Sequence, residues 1–172
     1  MRKITYSLLS VLALGGLLFA YYTISPLFRS IQVNEPSPEA VRREVIQTPP
    51  VQEEAQREAV QASQLQEEIR TTQVVGTSGH AASGAVRIVV ADGETYLRYE
   101  NFKTINGPDL YVYLAKDLDA KEYVSLGVLR ATEGNINYKV PEDVDITSYR
   151  YALVWCKQFS ALFNYTDISG LY

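Results

Sequence analysis

Residues 86–102 read VRIVVADGETYLRYENF, and this stretch decides the fold. Val86–Ala91 is rich in β-branched side chains, which favour strands. Asp92-Gly93 comes next, a dipeptide typical of a tight hairpin turn, and Thr95–Phe102 provides a second strand-like run. The stretch therefore predicts two antiparallel strands joined by a short turn.

Short strand-like runs separated by turn residues continue to the end of the chain. These runs are Leu110–Leu114, Tyr123–Leu129, Ile136–Val140, Tyr149–Cys156 and Ala161–Ile168, and residues 133–135 have the composition of a turn. About seven strands in about 95 residues is the scale of a two-sheet sandwich. We predict an all-β domain over residues 76–172, a small antiparallel β-sandwich with many aromatic side chains in its core.

The N-terminal segment, residues 1–28, is apolar. No charged side chain occurs between residues 4 and 28, and residues 4–25 would span about 33 Å as a helix, enough for a bilayer core. Arg2 and Lys3 precede this run, so the positive-inside rule predicts a cytoplasmic N-terminus and an extracytoplasmic C-terminal domain in a single-pass protein of the cell membrane. A cleaved signal peptide and a buried core helix are the alternatives; the length of the run and the lack of a small-residue cleavage site favour the anchor.

Residues 29–75 differ sharply from the segments on either side. Prolines and many Gln and Glu side chains predict a polar stalk, partly helical, which as coil would hold the domain on the order of 40 Å from the membrane. Residues 51–70 contain no Pro or Gly, and their apolar positions recur at three, four or seven residues, as in a short coiled coil that would self-associate weakly. Glu58 interrupts that seam, which favours a solvated spacer.

Composition excludes several functions. A net charge of −4 without a basic patch argues against nucleic-acid binding. The chain has one cysteine, Cys156, and one histidine, His80, too few for a Cys/His zinc site, a blue-copper centre or a disulfide within the chain. No acid–base or nucleophile constellation accompanies them, so an enzyme is not expected and no metal is assigned.

Cys156 is the one residue that suggests chemistry. Strand alternation places it on the same face as Ala152 and Val154, opposite Trp155. One interpretation is a small hydrophobe in the core; the other is a redox thiol or a ligand to haem or a metal. His80 lies among small residues in the segment 76–84, either as a solvated loop histidine or as a second ligand.

Five ordered motifs resemble the electron-transfer DM-thirteen domain family. They are Asn101-Phe102, residues 107–114, residues 126–129, residues 134–141 and residues 154–159. The resemblance covers about residues 76–168. It departs in the last strand, where Thr166 replaces the small residue that is usual there.

The resemblance implies an extracellular β domain that takes part in redox chemistry or electron transfer through a characteristic cysteine, here Cys156. If haem is the cofactor, Cys156 would be the thiolate axial ligand and His80 the only imidazole available; the cofactor itself is left open. A redox or other protein partner is expected. The alternative function is a non-catalytic surface binding or scaffolding module with a buried structural cysteine.

Overall fold

A computed structural model of the chain describes residues 11–19, 21–22, 30–40 and 70–172. Its strands are β1 (Gln32–Asn34), β2 (Thr72–Gln73), β3 (Val75–Gly76), β4 (Ala82–Ala91), β5 (Glu94–Thr104), β6 (Leu110–Ala115), β7 (Tyr123–Val128), β8 (Glu133–Lys139), β9 (Tyr151–Cys156) and β10 (Ala161–Asp167). A short 3₁₀ turn, Ile146–Ser148, precedes β9. The seven longer strands, β4 to β10, correspond one by one to the predicted runs.

Two five-stranded sheets form the sandwich. The front sheet has the order β1-β8-β5-β4-β2 and the back sheet the order β3-β10-β9-β6-β7. Every pairing is antiparallel except β1 with β8, which is parallel. The predicted all-β class and antiparallel sandwich are confirmed for the described residues.

The β4–β5 hairpin forms where the sequence predicts it. Ala91 pairs with Glu94 across a two-residue turn. Asp92 and Gly93 both have positive φ, 52° and 80°, as a type I′ turn requires. Aspartate and glycine tolerate this conformation better than other residues, which is why this dipeptide specifies the turn.

Alternation along the back sheet separates two apolar surfaces. Val112 on β6 and Val154 on β9 face the front sheet and are fully buried in the main core. Tyr113 and Leu153, their sequence neighbours, belong to a second apolar cluster on the outer face. The main core thus lies between the sheets, and the predicted face of Cys156 on β9 is correct.

The predicted turn at residues 133–135 is wrong. These residues open β8 and pair with β1 on one side and with β5 on the other. Gly134 has a φ of 114°, and a Cβ there would lie 1.9 Å from the carbonyl oxygen of Val33. The glycine therefore permits β1 and β8 to approach closely. Glycine is also typical of turns, so the sequence alone does not distinguish the two roles.

The sandwich extends into the segment that the sequence assigned to the stalk. Residues 32–34 form β1, residues 72–76 contribute β2 and β3, and Val74 lies in the main core. The chain therefore first joins the sandwich at Ile31, near the start of the predicted stalk and not after its end at residue 75. Pairing of short polar strands with an existing sheet edge depends on the sheet, which explains why composition alone misses it. The predicted helix over residues 51–70 lies outside the described residues, apart from Arg70.

Residues 30–40, which we call the strap, cross the outer face of the front sheet over two nearly buried arginines. Arg87 donates to the Ser37 hydroxyl (2.9 Å), and its side chain pairs with Glu39 (3.2 Å). Arg98 donates to the Glu35 carbonyl (3.2 Å). These bonds fix the path of the strap over β5 and β4.

Glu100 lies between the two arginines and pairs with both. Its Oε1 accepts from Arg87 Nε at 3.0 Å and from Arg98 Nε at 2.7 Å. Burial alone would raise the pKa of Glu100, but the hydrogen bonds from Arg98 and Arg87 outweigh it and hold the pKa below its ordinary value. Charged side chains become tolerable at this depth because each has a partner.

Residues 11–19 and 21–22 are helical, and their large apolar side chains are exposed, from 60% at Leu14 to 80% at Tyr22. Within the described ranges no helix is both long and apolar enough to cross a membrane. The other residues of the predicted span, 4–10, 20 and 23–25, lie outside the described residues.

Candidate redox site

Cys156 is the last residue of β9, and its side chain is fully buried in the main core. In the back sheet it lies between Leu110 of β6 and Ala161 of β10, its partners in the two ladders. The backbone N–H of the next residue, Lys157, donates to the Asp109 carbonyl at 2.9 Å and closes this end of the sheet. A thiol in these surroundings packs as a small apolar group.

His80 closes a tight turn before β4. The ring nitrogen Nδ1 is 2.9 Å from the Thr77 hydroxyl oxygen, and that hydroxyl also lies 2.8 Å from the carbonyl oxygen of Leu162. A Cβ on Gly76 would lie 2.5 Å from the His80 carbonyl oxygen, so the turn requires glycine at this position. The imidazole is thus fixed against the back sheet and not free in a loop.

Phe163 links the surroundings of the two candidate residues. Its ring stacks on the His80 imidazole, with centroids 4.0 Å apart and planes inclined by 18°. Phe163 belongs to the same buried core cluster as Cys156. Its ring also packs against Gly107, where an added Cβ would lie 2.9 Å from Phe163 Cζ. His80 and Cys156 therefore lie at the same end of the sandwich, with Phe163 against the imidazole.

The residues as placed do not fit a haem. A porphyrin needs open space beside the sulfur, but the Cys156 side chain has no exposed surface. One face of the His80 ring is covered by Phe163, and its Nδ1 is engaged by Thr77. A cleft of about 780 Å³ opens elsewhere, between the strap and the β7 edge, and neither Cys156 nor His80 lines it. We therefore assign no step to haem.

Metal-binding groups are also dispersed. Among the described residues, no three His, Cys, Asp or Glu side chains come together as a metal site. Asp117 accepts from the backbone N–H groups of Asp119 and Lys121, and Asp145 accepts from Thr147 at the start of the 3₁₀ turn. These hydrogen bonds lower the pKa of both carboxyls and account for their positions as turn residues.

Aromatic side chains cover the outer face of the back sheet beside Cys156. Trp155 pairs with Tyr111 across the β6–β9 ladder. Tyr113 stacks on Tyr123 with centroids 4.2 Å apart, and the Lys157 ammonium lies over the Tyr111 ring at 5.4 Å. Burial raises the pKa of Tyr113 to about 12, and Tyr123 adds to that shift. The neighbouring positions Trp155 and Cys156 thus connect the outer aromatic face with the core.

The family model described as Electron transfer DM13 matches residues 74–168. The chain belongs to this family. The match covers more than half of the chain and includes both Cys156 and His80. Comparison with curated proteins and with solved structures gives no match.

The sequence identified Cys156 and His80 but missed the residues that position them. Thr77, three residues before His80, holds the imidazole, and Phe163, far along the chain, covers it. The Thr-Ser-Gly-His spacing is a usable turn signal, because Gly79 adopts a φ of 82°. Nothing in the sequence near Phe163 indicates its contact with His80, because the two meet only when the back sheet is assembled.

Proposed function

We propose that this DM13 protein is an electron-transfer module anchored in the cell membrane by residues 4–25, with its β-sandwich on the extracytoplasmic side and Cys156 as its redox-active thiol. The observation that carries the proposal is the match to the electron-transfer family over the stretch that contains the only cysteine of the chain. Electron transfer requires a redox-competent group, and Cys156 is the side chain best suited to provide it.

The location of Cys156 supports access despite its burial. Because it is the last residue of β9, opening the turn of residues 157–160 would expose the sulfur without unfolding the sheet. The same turn carries the exposed Phe159. Access to the sulfur would therefore come from this end of the sandwich.

The anchor is supported by the N-terminal helix. The large apolar side chains of residues 11–22 are exposed in the isolated chain, and an apolar surface of this kind is usually covered by lipid or protein. Arg2 and Lys3 favour a cytoplasmic N-terminus. Protease that reaches the extracytoplasmic side of an intact membrane is expected to degrade the sandwich. A sandwich that resists protease under this condition would contradict the orientation.

The decisive experiment compares the full-length protein with Cys156→Ala. Optical spectra and elemental analysis are recorded in reduced and oxidised preparations, together with titration of the thiol by an oxidant. We expect a thiol signal that changes with oxidation state and is lost in Cys156→Ala but kept in the matched control Ser78→Ala. A wild-type protein that is colourless, metal-free and inert to oxidants would contradict the proposal.

The full burial of Cys156 and the aromatic outer face favour a second candidate, a surface binding or scaffolding module with a structural cysteine. In that case Cys156→Ser lowers the free energy of unfolding by about 1–3 kcal/mol, because a more polar group is buried, while partner binding persists. Loss of binding in a folded Cys156→Ser variant would contradict this second candidate.

A further inference from the structure

We propose that the end of the sandwich that carries Cys156 faces the membrane and contacts an anionic lipid surface through Phe159, Lys157 and Lys103. We call this the proximal end; it comprises the turns 77–81, 105–109, 129–132 and 157–160 with the flanking ends of their strands. The inference rests on the membrane anchor proposed above.

The short connection between anchor and sandwich limits their separation. The helical residue Tyr22 is followed by residues 23–29, and Ile31 is already bound to the sandwich. Nine residue steps reach at most about 30 Å when fully extended and on average about 17 Å as a flexible coil. The point where the chain enters the sandwich is therefore held within a short distance of the membrane.

Hydrogen bonds place that entry point at the proximal end. The Ile31 carbonyl accepts from the backbone N–H of Thr132, and the Ile31 N–H donates to the Thr132 hydroxyl, both at 2.9 Å. The Thr132 carbonyl in turn accepts from the backbone N–H of Thr104 at the end of β5 (2.9 Å). Thr104 is bound across the sandwich to Asn164 Nδ2 at 3.0 Å. Five residues separate Thr104 from Leu110, the ladder partner of Cys156. Ile31 and Cys156 thus lie at the same end.

Beyond the entry point, the strap is bound to the sandwich along its length. From Ile31 the chain runs along β8 and away from the proximal end, because β1 is parallel to β8. Beyond β1, Glu35 accepts from the backbone N–H of Asn137 (2.8 Å), and Ser37 and Glu39 engage Arg87. Because residues 31–39 are bound to the sandwich, the chain leaves the sandwich towards the anchor only at the proximal end.

The two ends of the sandwich differ in exposed apolar side chains and in charge, as a lipid-facing and a water-facing surface would. At the proximal end Phe159 is 66% exposed and Ile31 49% exposed. Lys157 belongs to the same turn as Phe159, and the 69%-exposed side chain of Lys103 lies 3.8 Å from Glu133 at the front-sheet side of this end. The opposite, distal end has nine acidic and four basic side chains in residues 92–94, 116–122, 139–150 and 167. By the same count, the proximal turns together with Lys103 and Glu133 have three basic and two acidic side chains. An anionic membrane repels the distal end and accommodates the apolar, weakly basic proximal one.

A depth measurement on the full-length protein tests the inference. Single cysteines are introduced at exposed positions, Gln158→Cys in the proximal turn and Asp143→Cys in the distal loop, and labelled with an environment-sensitive fluorophore. Each cysteine is introduced into Cys156→Ala, and that variant without an added cysteine is the labelling blank. In vesicles of phosphatidylcholine and phosphatidylglycerol that contain a headgroup-level lipid quencher, we expect loss of fluorescence at position 158 and unchanged fluorescence at 143. Phe159→Glu, or Lys103→Glu combined with Lys157→Glu, should reduce the quenching at 158.

Flotation of the same vesicles separates this inference from the anchor. Protein that floats with the vesicles but shows no quenching at 158, or stronger quenching at 143, overturns the inference and leaves the anchor intact. Protein that does not float overturns the anchor and, with it, the inference. Quenching at 158 that persists in both charge-reversed and Phe159→Glu variants overturns the assigned contact residues.

Discussion

The outer face of the front sheet carries two nearly buried arginines beneath the strap, whereas the outer face of the back sheet is covered mainly by its own tyrosine, tryptophan and leucine side chains. Arg87 and Arg98 depend on Glu100 and on strap residues for neutralisation. Leu153 and Tyr113 are buried by neighbours in the same sheet and by the loop that carries Leu118. One face needs specific partners; the other needs only apolar contact.

This difference predicts different sensitivities. An ion network in a low-dielectric setting is costly when one member is lost, because the remaining charges stay desolvated. An apolar cluster loses stability in proportion to the volume removed and is indifferent to pH. The following changes test the contrast, in order of decreasing expected effect.

Leu153→Ala should lower the free energy of unfolding by about 3 kcal/mol, because it leaves a cavity among buried aromatic side chains. Urea unfolding followed by tryptophan fluorescence and by circular dichroism would measure it. Val90→Ala, on a front-sheet side chain that is 65% exposed, is the control and should change stability by less than about 0.5 kcal/mol. Equal effects in both variants would contradict the burial of the back-sheet face.

Glu100→Gln should lower the free energy of unfolding by about 2 kcal/mol, less than a fully buried pair because Glu100 is partly exposed. The side-chain shape is kept, so the loss reports the missing charge between Arg87 and Arg98. Glu133→Gln removes a carboxylate from the exposed pair with Lys103 and should cost about 0–1 kcal/mol. A loss in Glu100→Gln no larger than in Glu133→Gln would show that the front-sheet network is not stabilising.

Acid should remove the difference between wild type and Glu100→Gln. The pKa of Glu100 is lowered in the folded state, so its contribution is present above the unfolded carboxyl value of about 4.3 and is lost as pH falls through the folded pKa below it. Unfolding curves from pH 7 to pH 3 should therefore converge for this pair, while the gap between wild type and Leu153→Ala stays constant. Parallel curves for wild type and Glu100→Gln would contradict the assignment.

Removing unpaired hydroxyls from the core should stabilise the protein slightly. Tyr99 Oη and Thr166 Oγ1 have no hydrogen-bond partner among the described residues, and burial raises the pKa of Tyr99. Tyr99→Phe and Thr166→Val should each raise the free energy of unfolding by about 1 kcal/mol. Tyr138→Phe is the matched control, because its hydroxyl accepts from the Arg130 backbone N–H at 3.0 Å, and it should be destabilising. Lower stability in Tyr99→Phe would indicate a partner for that hydroxyl.

Much of the sandwich could be predicted from local signals. The type I′ turn at Asp92-Gly93, the alternation of β6 and the placement of Cys156 with Val154 each follow from short-range geometry. Position 134 misled the prediction because a glycine that permits close strand approach looks the same in sequence as a turn glycine.

The candidate site was predicted only in its chemistry. Scarcity of cysteine and histidine singled out Cys156 and His80. Their burial, the Thr77 contact and the Phe163 stack depend on residues up to 86 positions away. Such contacts cannot be predicted from neighbouring residues in the sequence, because the two partners come from distant strands and turns.

The sequence by itself determined the strand order along the chain, the N-terminal apolar segment and the single cysteine, because hydrophobic periodicity, turn chemistry and composition are local properties. Only the tertiary structure decided that the strap is part of the sandwich, that Glu100 pairs with two arginines and that Ile31 enters at the Cys156 end. Those features arise from the pairing of distant strands, which the chain specifies through its whole folded free energy and not through any one segment.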